Sequence, residues 1–310
     1  MKIPDHVDFA KYISLVGELE SQEIHPAGYW TDKVLSRLEG QEVSGDTLPW
    51  SKTHLLVRLR PGELSIWAGM NGHRKSMLLG QVMTHLAMSH KVAIASLEMY
   101  PEETLLRMIC QSGTVTEPSK EYARKWLEWA NERILVYNQL DKVKGEKILG
   151  FIHYCAKELD CKHIVIDSLT KCGIASDDRN SEKDFIDRLQ WAAKTLKCHI
   201  HLVCHVRKPN NRGEEYIPNK FDVRGAGELT DLVDNVFIVW KDKAKEKASE
   251  AKEQGFELSP KELKVINNAD QLLIVSKQRH GSWEGTFKLW FHKSMQFMAA
   301  EGKPVPLEEV

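Results

Sequence analysis

The six cysteines (Cys110, Cys155, Cys161, Cys172, Cys198 and Cys204) include no C-x-x-C pair, so no spacing marks a metal or dithiol site. Several stand inside apolar runs, as Cys204 does in HLVCHV, the pattern of reduced, buried thiols in a cytosolic protein. No apolar run approaches the ~18 residues of a membrane span. The opening MKIPDHVDFAKYI lacks the basic start and apolar stretch of a secretory signal. An excess of one charge is missing too. Lys and Arg number 43 against 44 Asp and Glu, for a formal net charge of −1. No global basic field advertises a nucleic-acid partner, although a local basic surface is compatible with that balance. No internal repeat stands out. What is present is length and apolar content: 310 residues, 42% hydrophobic, enough for one large core or one domain with an appendage.

Residues 1–46 differ from the rest. FAKYISLVGELESQ has helical spacing of apolar residues, and HPAGYW and EVSGDTLPW are turn-prone, so this part is expected to be an N-terminal arm with a helix or two. From residue 47 to 310, apolar β-type runs alternate with amphipathic segments. The runs are ELSIWAG (63–69), KVAIASLE (91–98), RILVYN (133–138), HIVIDSL (163–169), HIHLVCHV (199–206), NVFIVW (235–240) and QLLIVSKQ (271–278). Helical patterns such as SMLLGQVMTHLAMSH (76–90) and DFIDRLQWAAKTLK (184–197) separate the first five. Near-continuous apolar strands alternating with helices predict an α/β fold with a mostly parallel central sheet covered on both faces. TFKLWFHKSMQFM (286–298) is expected to form a terminal hairpin. The charge-rich stretch 241–264 between two strands is expected to be a solvated helix laced by i,i+4 charge pairs, with a partner-binding element as the alternative.

In open α/β sheets, ligands bind beyond the carboxyl ends of the strands. After the first strand comes GMNGHRKS (69–76), a loop turning into a helix, which aims backbone N–H groups and the helix dipole at an anion. Gly69 and Gly72 relax the turn and Asn71 lies between them. Lys75 is placed to reach the β/γ-phosphates, and the Ser76 hydroxyl to ligate Mg²⁺. Arg74 stands where the G-x-x-x-x-G-K-[ST] pattern has glycine. Alone, the motif reads equally as an ordinary strand–loop–helix connection. Glu98 closes the second run, where it either meets water or, beside a phosphate loop, orients the attacking water. Asp167 ends HIVID as an acid that supports Mg²⁺ would. His205 ends HIHLVCH as a candidate phosphate sensor or a structural histidine. Lys277 and Arg279, just past a late strand, point the same way on an extended chain. Near their own nucleotide they would duplicate Lys75; facing a neighbour's they would act as an arginine finger. Five such signals in one chain make independent coincidence a poor explanation.

Taken in order, GELSIWAGMNGHRKS, ASLEM, IVIDSLTK, HLVCHVRKP, DVRGAGELTDLVDNV and KQRHGSWEGTFKLWF resemble the RecA-type domain of the DnaB replicative helicase family, in particular its phage and Twinkle-like branch, over roughly residues 48–298. The resemblance implies a RecA-like P-loop NTPase core that uses ATP, or another nucleoside triphosphate, with Mg²⁺. It assigns phosphate and Mg²⁺ binding to Lys75 and Ser76, Mg²⁺ support to Asp167, the catalytic carboxylate to Glu98 and the phosphate sensor to His205. Lys277 and Arg279 would reach the adjacent subunit's nucleotide. It also implies a homo-oligomeric ring, usually a hexamer, around single-stranded DNA.

The stretch 207–227 is long, polar and glycine-containing between two core strands, the kind of loop that carries function in a compact domain. Its Arg207, Lys208, Arg212, Lys220, Arg224 and the N–H of Gly225 suit phosphate contacts without base readout. A second, weaker candidate is 173–185. The arm before residue 48 is too short for a primase-like or zinc-binding region, so priming is expected from a separate protein, with a polymerase as a further partner. The arm itself is expected to pack on the neighbouring subunit, as linker helices do in this family. A compact format of this kind suggests a phage or prophage source and a cytoplasmic location, the host's if phage-encoded. Two other readings stay open. Arg74 motivates a nucleotide-dependent single-strand-binding or helicase-loading protein with little turnover, because a non-glycine residue at φ > 0 is strained and its bulk crowds the phosphates. A RecA-like recombinase or clock-type ATPase shares the core but fits KQRHG and DVRGAGEL less well.

Overall fold

A computed structural model of the chain describes residues 7–9, 11–13, 24–38, 45–140, 142–174, 178–207, 215–224 and 226–307. The apolar runs form strands β1 (Leu64–Gly69), β2 (Lys91–Ser96), β3 (Ile134–Tyr137), β4 (Cys161–Asp167), β5 (His199–His205), β6 (Asn235–Lys241) and β7 (Gln271–Gln278), and the tail forms β8 (Gly285–Phe291) and β9 (Phe297–Met298). They make one 9-stranded sheet in the order β3-β2-β4-β5-β1-β6-β7-β8-β9. β3 through β6 in that order pair in parallel. β7, β8 and β9 add antiparallel beyond β6.

The helices are α1 (Thr31–Leu38), α2 (Lys75–Leu86), α3 (Pro101–Gly113), α4 (Lys120–Ala130), α5 (Gly145–Lys157), α6 (Arg179–Leu196), α7 (Ala226–Leu232), α8 (Lys243–Glu253) and α9 (Pro260–Val265). Side chains alternate across the sheet because strand period is two. Leu64, Ile66, Ile164, Ile166, Ile200 and Leu202 enter one core with Ile148 of α5 and Leu189 of α6. Trp67, Val165, Val203 and Phe237 enter the other with Leu78 and Met83 of α2 and Trp126 of α4. Two buried faces explain why β1, β4 and β5 read as unbroken apolar runs. All six cysteines are free and buried. Among the described residues no helix is long and apolar enough to cross a membrane.

The stretch 241–264 departs from the solvated helix expected of it. It folds as two helices, α8 and α9. Asp242 caps α8 by accepting from the Lys245 N–H, and a Ser259–Glu262 capping box with Pro260 opens α9. Lys245 and Ala248 are buried. Some of its charges reach beyond α8: Lys245 Nζ lies 2.9 Å from Asp270, and Glu246 Oε1 pairs with Lys241 and Arg74. In the N-terminal part, Phe9 and Tyr12 pack against Phe151 and Tyr154 of α5. On α1 and the turn before it, Tyr29, Val34, Leu35 and Leu38 are exposed.

Candidate active site

The register of the parallel strands aligns their carboxyl ends. Gly69 of β1 pairs with His205 of β5, and Ser96 of β2 with Asp167 of β4. Because β2, β4, β5 and β1 are consecutive in the sheet, the residues at and just beyond those ends share one cleft. Asn71, Gly72, Lys75, Ser76, Glu98, Asp167 and His205 line a space of about 660 Å³.

The loop between β1 and α2 is tightly constrained. A Cβ at Gly69 would lie 2.3 Å from the Val239 carbonyl oxygen on β6, so only glycine fits there. Gly72 takes φ +77° and Arg74 φ 64°, ψ 26°, immediately before α2 begins at Lys75. Positive φ at two nearby positions is the backbone condition under which N–H groups of such a loop can converge on an anion. A left-handed arginine costs on the order of 1–3 kcal/mol. Here the side chain recovers contacts: Arg74 Nη2 lies 2.9 Å from Glu246 Oε1, and the guanidinium stacks 3.6 Å over the Phe291 ring. Both are of a size to offset that cost. The neighbouring His73 is held as firmly, its Nδ1 accepting from the Lys241 N–H and its carbonyl from Gln271 Nε2.

Lys75 is buried, and its ammonium donates to the carbonyls of Gly69 and Met70, each at 3.0 Å, and approaches His205 Nδ1 at 3.5 Å. Burial lowers its pKa, with Asp167 and Glu98 opposing. With Nδ1 facing Lys75, the His205 ring turns Nε2 toward Glu98 Oε1, 3.6 Å away. His205 is the largest cause holding the Glu98 carboxyl down to about 2. Partial burial opposes it, and hydroxyl donation from Ser168 and Thr170 assists. Asp167 goes the other way. Burial pushes it up to about 6, with Glu98 adding to the shift and Ser76 and Lys75 opposing it. A buried carboxyl with a serine hydroxyl on one side and too little positive charge around it suits a divalent cation, which would restore its ionised form. Ser76 and Asp167 therefore fit Mg²⁺.

Lys277 and Arg279 do not join this cluster. β7 runs antiparallel, with Gln271 opposite Lys241 and Gln278 opposite Asn235. Its carboxyl end therefore lies at the other edge of the sheet, and these two cations do not converge with the other four strand-end signals. Both cations instead meet the carbonyl end of α7. Lys277 Nζ donates to Thr230 O and Asp231 O at 2.8 Å, and Arg279 Nη2 to Asp231 O at 3.1 Å and Leu232 O at 2.8 Å.

Of the basic loop, Lys208, Arg212 and Gly225 lie outside the described residues, as does part of 173–185. Its two ends are pinned together: Val206 bridges Val223, the Arg207 N–H donates to Asp222 O, and the Arg224 N–H to His205 O. Arg207 and Arg224 border a cleft of about 590 Å³ with Asn71, Thr170 and His205. Lys220 lies farther along, beside the exposed ring of Phe221. Sequence reasoning passed over Ser168 and Thr170, although IVIDSLT places them directly after Asp167. It also passed over Arg107, whose position on α3 carries no motif and which lines the same cleft as Glu98 and Asp167.

A second polar network lies at the opposite edge of the sheet. The Trp67 indole donates to His201 Nδ1 at 3.1 Å, which leaves the His201 proton on Nε2, 3.1 Å from His163 Nδ1. His163 then carries its proton on Nε2, 3.0 Å from Asp46 Oδ2, and His90 Nε2 faces Asp46 Oδ1 at 2.8 Å. Burial lowers the pKa of His163 and His201, keeping both neutral. Asp46, His90 and His163 bring ligand-type atoms within 4.8 Å of one another. The relay nevertheless puts a proton on the His163 nitrogen that a metal would need, so the trio is a hydrogen-bonded pin.

The fold and these strand ends define an α/β protein of the phosphate-loop class. The family model described as "DnaB-like helicase C terminal domain" matches residues 54–299, and the chain belongs to that family. A "DNA helicase/primase" of Enterobacteria phage T3 is 24% identical over 202 residues, 58% of this chain and 35% of that protein. The chain thus spans about a third of that relative's length. Among solved structures, the "ATPase Domain of G40P" superposes with TM-score 0.73 at 16% identity, over 90% of this chain and 100% of that one. A DnaB-like replicative helicase, whose structure is described with its interactions with primase, superposes with TM-score 0.70 at 17% identity, over 94% and 74%. Both likenesses bear out the RecA-like, mostly parallel α/β fold.

Proposed function

We propose that the chain is the motor of an ATP-dependent replicative DNA helicase that forms a ring and translocates on single-stranded DNA. The observation that carries this is the alignment of Lys75 and Ser76, Glu98, Asp167 and His205 at four adjacent strand ends around one cleft. ATP, or another nucleoside triphosphate, would lie with its phosphates on the 69–76 loop, replacing the carbonyl contacts of Lys75. Ser76 and Asp167 would hold Mg²⁺, which neutralises charge on the β- and γ-phosphate oxygens. Glu98, kept ionised by His205 and Ser168, accepts a hydrogen bond from the attacking water and orients it. His205 lies between Lys75 and Glu98 and so reads the presence of the terminal phosphate.

The remaining assignments need more than one subunit. Lys277 and Arg279 sit at the edge away from their own phosphate loop, which supports a role toward a neighbour's nucleotide. The exposed apolar residues of α1 support packing of this part of the arm 1–46 on an adjacent copy of the domain 47–310, while Phe9 and Tyr12 stay on their own α5. Arg207, Lys208, Arg212, Lys220, Arg224 and Gly225, repeated around a hexameric ring, would line a positive channel for one DNA strand. A separate primase or polymerase would complete the replication machinery, in the cytoplasm, the host's for a phage source. The single-strand-binding or loading reading is less favoured, because Arg74 is compensated and the carboxylates are in place.

The test is phosphate release with and without single-stranded DNA, alongside gel filtration with ATP. DNA-stimulated turnover is expected, and its loss in Lys75→Ala and Glu98→Gln. Unchanged release in both variants would sink the assignment. Ring assembly and DNA binding without any phosphate release would restore the loading protein.

A further inference from the structure

Arg74 is gripped from two sides by elements that are themselves tied together. Glu246, on α8, takes its guanidinium edge at 2.9 Å and also pairs with Lys241 at the end of β6. Phe291, at the end of β8, takes its face at 3.6 Å. Asp270 links the two gripping elements, accepting from the Phe291 N–H at 2.8 Å and pairing with Lys245 of α8 at 2.9 Å. Arg74 itself is little exposed, 16% at the side chain. Its backbone is the left-handed residue on which α2 starts, next to the lysine proposed for the phosphates.

A glycine at this position would adopt φ > 0 freely and leave the loop's shape to local forces. Arginine adopts it at a cost and holds it only through contacts outside the loop. The loop's geometry therefore depends on where α8 stands, and α8 belongs to an insertion at the surface between β6 and β7. We infer that Arg74 and Glu246 form a positioning pair that couples the phosphate loop to the insertion 242–270, so that this insertion sets nucleotide affinity. Glu246 acts through Arg74 and touches no substrate. A partner or a neighbouring subunit that moved α8 would thereby tighten or loosen nucleotide binding without entering the cleft.

The inference rests on the nucleotide-binding reading, so the experiment separates the two. Binding of a fluorescent ADP analogue with Mg²⁺ is measured for the unsubstituted chain, Lys75→Ala, Glu246→Gln, Arg74→Ala, Arg74→Lys and the Arg74→Ala/Glu246→Gln pair. Backbone amide exchange over 70–76 is followed without nucleotide. Glu246→Gln and Arg74→Ala are each expected to weaken binding on the order of 5-fold or more, and the double variant no further. Arg74→Lys, which keeps the charge pair, should recover most of the loss. Amide exchange over 70–76 should rise in Glu246→Gln by more than it does in the helices that cover the sheet, which a general loss of stability would not produce. Loss of binding in Lys75→Ala beside wild-type affinity and exchange in Glu246→Gln would overturn the coupling and leave the nucleotide site standing. Additive losses in the double variant would also overturn it. No binding by the unsubstituted chain would remove both readings, whereas the exchange result speaks to the Arg74–Glu246 tie alone.

Discussion

The strands β1, β4 and β5 carry a polar network at each end, and the two networks are built on opposite terms. At the amino edge, Trp67, His201, His163 and Asp46 form a chain in which every donor has one acceptor and the tautomers are fixed. At the carboxyl edge, charges of both signs are crowded without being settled. Asp167 is pushed up to about 6, Glu98 is held down to about 2, and Lys75 spends its protons on strand-end carbonyls. The first arrangement leaves nothing for a ligand to improve. The second leaves a carboxyl that wants a cation and an ammonium that wants an anion. Buried polar residues are thus no guide to function by themselves; the informative quantity is how completely they satisfy one another.

That contrast can be broken from either side. The largest effect is expected at the carboxyl edge. Glu98→Gln should cost roughly 10²–10⁴ in turnover, the range for a positioned acid–base group, with nucleotide binding retained, as steady-state phosphate release and analogue binding would show. Asp167→Asn should do two things at once. It removes Mg²⁺-dependent binding, and it stabilises the empty chain at pH 7. A carboxyl whose pKa rises from 3.8 to about 6 on folding costs on the order of 3 kcal/mol once ionised. That cost is absent below about pH 3.8, grows between 3.8 and about 6 and is fully present above 6, so the melting-temperature gain of the variant should vanish in acid. At the amino edge, Asp46→Ala leaves His163 and His90 without their acceptor and should cost about 2–3 kcal/mol in denaturant unfolding, while turnover per folded molecule is unchanged. The smallest effect is on DNA. Arg224→Ala should lower the salt slope of single-strand binding by about 0.7, the value for one phosphate contact, whereas Lys162→Ala at the amino edge should leave it alone.

Much of the fold is legible in the sequence because strands buried on both faces cannot avoid being continuous apolar runs. β1 through β7 appear as such, and the four groups at the ends of β1, β2, β4 and β5 follow from chain order alone. Direction does not. Nothing in QLLIVSKQ says that β7 runs against β6, so the sequence leaves open which edge Lys277 and Arg279 occupy. The compensation of Arg74 is equally hidden, since its partner Glu246 is 172 residues away. The insertion reads as solvated for a related reason: periodicity cannot distinguish a Glu that pairs along its own helix from one that reaches across the fold. The histidines of the amino edge carry no motif, and only the indole that starts their relay gives it a sense.

His205 belongs to two mechanical systems at once. Its ring stands between Lys75 and Glu98, and its carbonyl accepts from Arg224, where the basic loop returns to the sheet. The loop's outward arm, Arg207, starts two residues later and is bonded back to Asp222. In the proposed role of His205 as reader of the terminal phosphate, a shift of that residue would act directly on Arg224 at the loop's root. The Val206–Val223 bridge holds that root closed, and a glycine at either position would be expected to leave hydrolysis running while weakening its coupling to DNA, as phosphate release compared with strand unwinding would show.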